Sequence, residues 1–291
     1  MNAHLVVTVG EAVGRAADVL AGAGVTDARR EADELYAALV CGATSRAWLD
    51  REQPLAPGLA ERLETAARRR AEGWPQAYAA GRVNFRGHWL AVDRRVLIPR
   101  AETETLVERA LEWAAARAVP PVIADIGTGS GAIAIALALE GRVAGVIATD
   151  LSADALNLAI ENAAALGAKD RINFRRGDLL TPLLDDPVDA IVSNPPYVTT
   201  EECDWLLPVV KDYEPHLALD GGADGLAVTR RLAVAAAAVL PPGGLLALEV
   251  DAGRADASAA ILTDAGFADV EIGEDLFGRP RTVLGRRPEA T

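Results

Sequence analysis

Short apolar runs recur from residue 122 onward. They cover 122–126, 145–149, 171–175, 188–193 and 244–250, each too short for a helix and close to turn-forming residues, so they read as buried strands. Between them lie stretches rich in Ala, Leu and Ile, such as Ala132 to Glu140 and Leu232 to Leu240, which read as helices. Strands alternating with helices predict an α/β domain with a doubly wound, mostly parallel sheet. Phe267 to Ile272 and Arg281 to Leu284 add a terminal antiparallel pair, for seven strands in all. Upstream, residues 8 to about 72 alternate apolar and charged positions at helical spacing. Gly22-Ala23-Gly24, Gly42 and Pro54 to Gly58 break this segment into about four helices, with Thr8 and Thr26-Asp27 as N-caps. Tyr78 to Val96, with Gly81 and Gly87 between apolar runs, reads as a β-hairpin. A further helix is expected over 103–115. The chain thus divides into a helical bundle over 1–76, a hairpin linker over 77–98 and an α/β domain over 99–291.

With 291 residues, 51% of them hydrophobic, the chain can bury a substantial core. No run approaches the roughly 18 apolar residues of a membrane span. Met1 to Gly10 lacks the basic region and cleavage site of a secretion signal. Cys41 and Cys203 stand far apart, and His4, His88 and His216 form no ligand cluster, so a cytoplasmic protein with reduced thiols and no metal is expected. The net charge is −13 and unevenly placed. Residues 1–98 hold 13 Lys and Arg against 12 Asp and Glu, whereas residues 99–291 hold 16 against 30. Nucleic-acid binding needs basic surface to displace counterions, so the acidic α/β domain disfavours a DNA or structured-RNA substrate. It suits a basic protein loop, because complementary charge speeds encounter.

Two local patterns carry chemistry. The first is Gly127-Thr128-Gly129-Ser130-Gly131, directly after the strand ending at Ile126 and directly before a helix. Glycines there let the backbone approach a ligand at the helix N-terminus. Gly127, Gly129 and Ala132 also satisfy a dinucleotide fingerprint, and Asp150, 19 residues after Gly131, is placed to bind ribose hydroxyls in a dinucleotide or an S-adenosylmethionine site. The extra glycine at 131 and the second pattern favour S-adenosylmethionine, whose positive sulfonium Asp125, Asp150 and Asp178 would offset.

The second pattern is Asn194-Pro195-Pro196-Tyr197, after the run Val188 to Ser193. Two prolines remove two N–H donors and fix φ, and Pro195 holds Asn194 extended. Asn-Pro also marks ordinary turns. Beside a cofactor loop, however, the rigid corner offers the Asn194 oxygen and a neighbouring carbonyl to both hydrogens of a planar –NH2 group, with the Tyr197 ring to stack on it. A hydride-transfer site has no need of such a corner; methyl transfer to nitrogen has. Glu102 and Glu104 are the nearest candidate acids or bases, with capping of the 103–115 helix as their expected role.

These residues resemble the release-factor glutamine methyltransferase family (PrmC/HemK) over nearly the whole chain. The resemblance rests on Val96 to Glu104, Asp125 to Ala132, Ala148 to Ser152, Gly177 to Leu180, Ser193 to Tyr197, Glu214-Pro215, Ala218-Leu219 and Gly221 to Leu226. It implies a seven-stranded, Rossmann-like S-adenosylmethionine-dependent methyltransferase domain, an N-terminal domain that grips the substrate, and methylation of the glutamine in the Gly-Gly-Gln loop of peptide chain release factors. It also implies catalysis by Asn194, Pro195, Pro196 and Tyr197. Cofactor contacts would come from Gly127, Thr128, Gly129, Ser130, Gly131, Asp150, Leu151, Asp178, Leu179, Asn194, Arg100 and Thr103. A monomer with no direct nucleic-acid or membrane partner is expected. Asn-Pro-Pro-Tyr is shared with amino-methyltransferases of DNA and RNA, so a nucleic-acid base or a small metabolite is the alternative substrate. The chain departs from the family at Ala101, at Gln76 and Ala77 followed by Ala79-Ala80, at Leu90, and at Asp251 and Arg254, where the family has Gly and Gln.

Overall fold

The computed structural model describes residues 7–183 and 186–289. His4 lies outside the described residues. Two compact units are present: one of residues 1–94 with 207–213, the other of residues 95–206 with 214–291.

The first unit is helical: α1 (Val9–Gly22), α2 (Ala28–Val40), α3 (Arg46–Leu49), α4 (Leu59–Ala71) and α5 (Gln76–Ala80), then β1 (Arg82–Phe85) and β2 (His88–Ala91). Its core is formed by side chains such as Val13, Leu20, Leu35, Tyr36, Leu39 and Leu63. Thr8 caps α1 in a reciprocal capping box with Glu11, as its sequence predicts. Asp27 does not cap α2; it is left-handed with φ 57° and its side chain makes no cap bond. The expected hairpin is shorter than Tyr78 to Val96. Tyr78 to Ala80 belong to α5, and Gly81 ends that helix at φ 72°. Arg86 and Gly87, at φ 49° and 80°, form the two-residue turn, both left-handed as a type I′ hairpin requires. Two departures from the family sit here: Gln76 donates to Glu34 at 2.8 Å, and Ala79 packs in the helical core. The segment 207–213 returns to this unit through Tyr213, whose ring lies 5.5 Å from Trp74, with the Arg94 guanidinium 4.5 Å from Tyr213 and 5.0 Å from Trp74.

The second unit contains α6 (Thr103–Ala115), β3 (Val122–Ile126), α7 (Ala132–Glu140), β4 (Gly145–Asp150), α8 (Ala153–Ala165), β5 (Ile172–Arg176), β6 (Ala190–Ser193), α9 (Thr200–Cys203), α11 (Ala227–Val239), β7 (Leu245–Glu249), α12 (Ala255–Asp264), β8 (Ala268–Glu274) and β9 (Pro280–Arg286); α10 (Pro208–Lys211) falls in the first unit. The sheet has seven strands in the order β5-β4-β3-β6-β7-β9-β8. β3 to β7 are parallel; β9 runs antiparallel to β7 and to β8. The chain winds outward from β3 to β5, then restarts beside β3 with β6. Ligands in such sheets bind beyond the carboxyl ends where the winding reverses. α7 is apolar on every side and accordingly has seven of nine residues buried. β6 begins two residues later than its apolar run. The Asp189 carboxylate takes the Val122 N–H at 2.8 Å, a bond that a continued ladder would use otherwise.

Candidate active site

The glycine loop turns on three left-handed glycines, Gly127, Gly129 and Gly131, at φ 74°, 55° and 84°. Gly127 and Thr128 both donate N–H to the Thr149 carbonyl at 2.9 Å, and Gly131 donates to Thr128 at 2.8 Å. Gly129 donates to the Asp150 carboxylate at 2.9 Å, and Ser152 N–H donates to the same side chain at 2.8 Å. Asp125 is fully buried beneath the loop. Its carboxylate accepts from the Thr128 hydroxyl at 2.7 Å and from Ala134 N–H, in the first turn of α7, at 3.1 Å. A carboxyl group therefore already occupies the positive end of that helix. Burial pushes the Asp125 carboxyl up to about 7, against the pull of those two bonds.

A cavity of about 420 Å³ opens at this switch point, within the range of small-ligand sites. Gly127, Thr128, Gly129, Ser130, Asp150, Leu151, Asp178, Leu179, Arg100, Thr103, Asn194, Pro195 and Pro196 line it. Gly131, Tyr197 and Asp125 do not. Gly131 instead lets α7 approach α8: a Cβ there would meet the Ala159 Cβ at 3.1 Å. Asp125 supports the loop from below, so of the three carboxylates expected to offset a sulfonium charge only Asp150 and Asp178 line the cavity. Asp178 pairs with Arg231 at 2.5 Å, which offsets its charge. Arg95 pairs with Glu161, and Arg100 pairs with the buried Glu214 at 2.5 Å. Each of these three cavity arginines thus has a carboxylate partner. Asp150 is held by backbone N–H groups, and burial raises its pKa.

The Asn-Pro-Pro-Tyr corner is clamped from outside by the loop 219–225. Val198 N–H donates to Leu219 at 3.0 Å and Gly221 N–H donates to Val198 at 2.7 Å. A Cβ on Gly221 would lie 2.6 Å from the Pro196 carbonyl oxygen, so only glycine fits. Asn194 Nδ2 donates to the Thr103 hydroxyl at 3.2 Å, and that hydroxyl donates to Glu249 Oε2 at 2.5 Å. Thr103 is thereby committed to protein partners, although its position borders the cavity. Burial, with the nearby Glu249 charge, pushes the Tyr197 phenol up to about 12, so it stays protonated. Glu102 does not cap α6; it lies 3.4 Å from Arg279.

Glu249 and Glu214 were not singled out as functional from sequence. The available signal was a carboxylate closing the apolar run Leu245 to Leu248, at a strand end that faces the crevice. Among the described residues no group of three or more His, Cys, Asp or Glu side chains is arranged to hold a metal ion, and no helix is long and apolar enough to cross a membrane.

Residues 114–222 match the Methyltransferase small domain and residues 11–81 match the PrmC N-terminal domain. The release factor glutamine methyltransferase of Cereibacter sphaeroides is 42% identical over 93% of this chain and 95% of its own length. That of Moorella thermoacetica is 42% identical over 97% and 99%. Among solved structures, the hMettl16 catalytic domain superposes with a TM-score of 0.57 at 16% identity, covering 80% of this chain and 82% of that one, which shows the shared fold. The chain belongs to the release factor glutamine methyltransferase family.

Proposed function

We propose that the chain transfers a methyl group from S-adenosylmethionine to the side-chain amide nitrogen of a glutamine in peptide chain release factors. The observation that carries this reading is the meeting, in one cavity, of the glycine loop and an Asn194 amide whose –NH2 end is tied to Thr103.

The residues present fit the cofactor better than a dinucleotide. A pyrophosphate needs free backbone N–H groups or an unpaired cation. Here Gly127, Thr128, Gly129 and Gly131 donate within the protein, Asp125 sits at the α7 N-terminus, and the cavity arginines are paired. The Asp150 carboxylate suits ribose hydroxyls, and Leu151 with Leu179 and Asp178 suits an adenine ring and its amino group. The glycine loop would lie beneath the amino-acid end. S-adenosylmethionine supplies an electrophilic methyl on a positively charged sulfur.

A glutamine amide nitrogen is a weak nucleophile because its lone pair is delocalised. Positioning is therefore the main contribution of the corner. Asn194 Oδ1 and the Pro195 carbonyl accept the two substrate N–H groups, which stabilises positive charge developing on that nitrogen. Pro195 and Pro196 keep the two acceptors rigid. Tyr197 supports the corner from outside the cavity lining, and the proton released from the methylated nitrogen passes to solvent. The first unit grips the release factor, the acidic second unit attracts its basic loop, and the enzyme acts as a cytoplasmic monomer without contacting nucleic acid or membrane.

The test is transfer of labelled methyl from S-adenosylmethionine to a purified release factor, beside a variant whose loop glutamine is replaced. Label on the first only is expected. Label on neither, with cofactor bound, overturns the substrate and directs the search to a metabolite or a nucleic-acid base.

A further inference from the structure

We infer that Glu249, acting through the Thr103 hydroxyl, determines which end of the Asn194 amide faces the substrate, and is thus a positioning residue for the reaction. The inference rests on the acceptor role proposed above for Asn194.

The argument is a count of protons. An ionised carboxylate can only accept. While Glu249 is ionised, Thr103 Oγ1, 2.5 Å from its Oε2, must therefore give its single proton to Glu249. Only lone pairs remain on that oxygen for Asn194, 3.2 Å away. The amide must answer with a donor, so Nδ2 faces Thr103 and Oδ1 is left for the cavity that Asn194 lines. This orientation follows from the donors available, independently of how amide oxygen and nitrogen are told apart. A protonated Glu249 would reverse the chain: it would donate to Thr103, Thr103 would be free to donate to Oδ1, and the flipped amide would present –NH2 to the incoming –NH2.

Glu249 is an expensive way to do something merely structural. It is 1% exposed, and its Oε1 has no hydrogen-bond partner. A buried carboxylate with one oxygen unpaired is usually no more stable than an apolar side chain of similar volume. Around it, hydrogen bonding from Thr103, the charge of Arg281 on β9 and hydrogen bonding from Asn194 favour its charged form, Glu102 before α6 opposes it, and the Tyr197 phenol lies nearby. Burial dominates and pushes its carboxyl up to about 7.

Three variants of the full chain test this. Thr103→Val keeps the shape and removes the hydroxyl. It is expected to lower kcat about 100-fold while leaving KM for the release factor and Kd for S-adenosylmethionine nearly unchanged. Thr103→Ser should recover most of that loss. The native enzyme should lose kcat as Glu249 is protonated below neutral pH; Glu249→Gln has no proton to lose at this site, so that fall should be absent from it. In the free protein, the Asn194 side-chain NH2 signal, assigned by its absence from Asn194→Asp, should shift and exchange faster in Thr103→Val and not in Thr103→Ser. Equal kcat for the Val and Ser variants, or an unmoved Asn194 signal, overturns the inference. If native protein methylates no release factor yet the Asn194 signal responds as described, the proposed function fails and the orienting role stands.

Discussion

Arg254 Nη1 lies 3.1 Å from Asp251 Oδ1, so two positions at which the chain departs from its family are partners of each other. Arg254 also reaches Glu202 at 2.6 Å and the Asp224 carbonyl at 3.2 Å, while Asp251 accepts from Gly253 N–H at 3.0 Å. Neither residue lines the cavity. The pair ties the end of β7 to α9 and to the loop that clamps the Asn194 corner. The departures are thus a changed brace behind the site, with the cofactor and amide surfaces untouched.

Because Arg254 is only 19% exposed and Asp251 37%, their coupling should exceed that of a fully exposed pair but stay modest. A double-mutant cycle of Asp251→Ala and Arg254→Ala in urea denaturation should give a coupling of about 0.5–1 kcal/mol. Strict additivity would mean that the two side chains act independently.

Gly221→Ala should move the corner. Its Cβ would press on the Pro196 carbonyl at 2.6 Å and on the Gly225 carbonyl at 2.7 Å, both backbone atoms. We expect a stability loss of about 2 kcal/mol and a fall in turnover of more than about tenfold, since displacement near 1 Å is costly in a positioned site. Turnover equal to the native enzyme would show that the corner does not depend on this clamp.

Gly14→Ala is the opposite case. Gly14 lies inside α1, and a Cβ there meets nothing within 4 Å. The substitution should stabilise the first unit by about 0.5–1 kcal/mol, mainly by restricting the unfolded chain. Thermal unfolding measures it; a lower midpoint would refute the open space beside Gly14.

Stability should fall between about pH 4 and about pH 7. Burial raises the folded-state pKa of Asp125 from 3.8 and of Glu249 from 4.5, each to about 7. Across that window the folded protein holds more protons than the unfolded chain, so raising the pH favours unfolding; below it the contribution is fully present and above it fully lost. The lowered Asp224, at about 2, acts in the opposite sense at more acid pH. Asp125→Asn should shrink the decline in melting temperature from pH 5 to 7.5. An unchanged decline would locate the titration elsewhere.

Binding and turnover should separate. Asn194→Ala is expected to keep S-adenosylmethionine affinity and lose most turnover. Asp150→Ala should weaken that affinity, both by removing the ribose acceptor and by freeing the Gly129 and Ser152 N–H groups it holds. Calorimetric titration of the two variants checks this; unchanged affinity in Asp150→Ala would remove that residue from the site.

The glycine loop, the Asn194 corner and the strand–helix alternation are legible in the sequence because each depends on neighbours within a few residues. Apolar periodicity marks a strand or helix, glycine permits φ > 0, and proline fixes φ. Short segments were legible less well. Tyr78 joined a helix in place of the expected hairpin, and Asp27, though a capping residue by type, lies left-handed without a cap bond. The direction in which a side chain faces was not legible at all. Asp125 and Asp150 both belong to strands ending at the crevice and share one face of the sheet, yet one is sealed under the loop and the other lines the cavity: Asp125 pairs with Ala148, so Asp150 stands two positions further toward the carboxyl edge, beyond what the loop covers. The Glu249–Thr103–Asn194 chain joins residues 146 and 91 positions apart, and it exists because the sheet order sets β7 beside β6, with Thr103 at the start of α6 within reach of both. Local chemistry determined which elements form and which residues can react. Only the tertiary structure decided which of them meet, because that depends on the order of strands and the packing of helices over them.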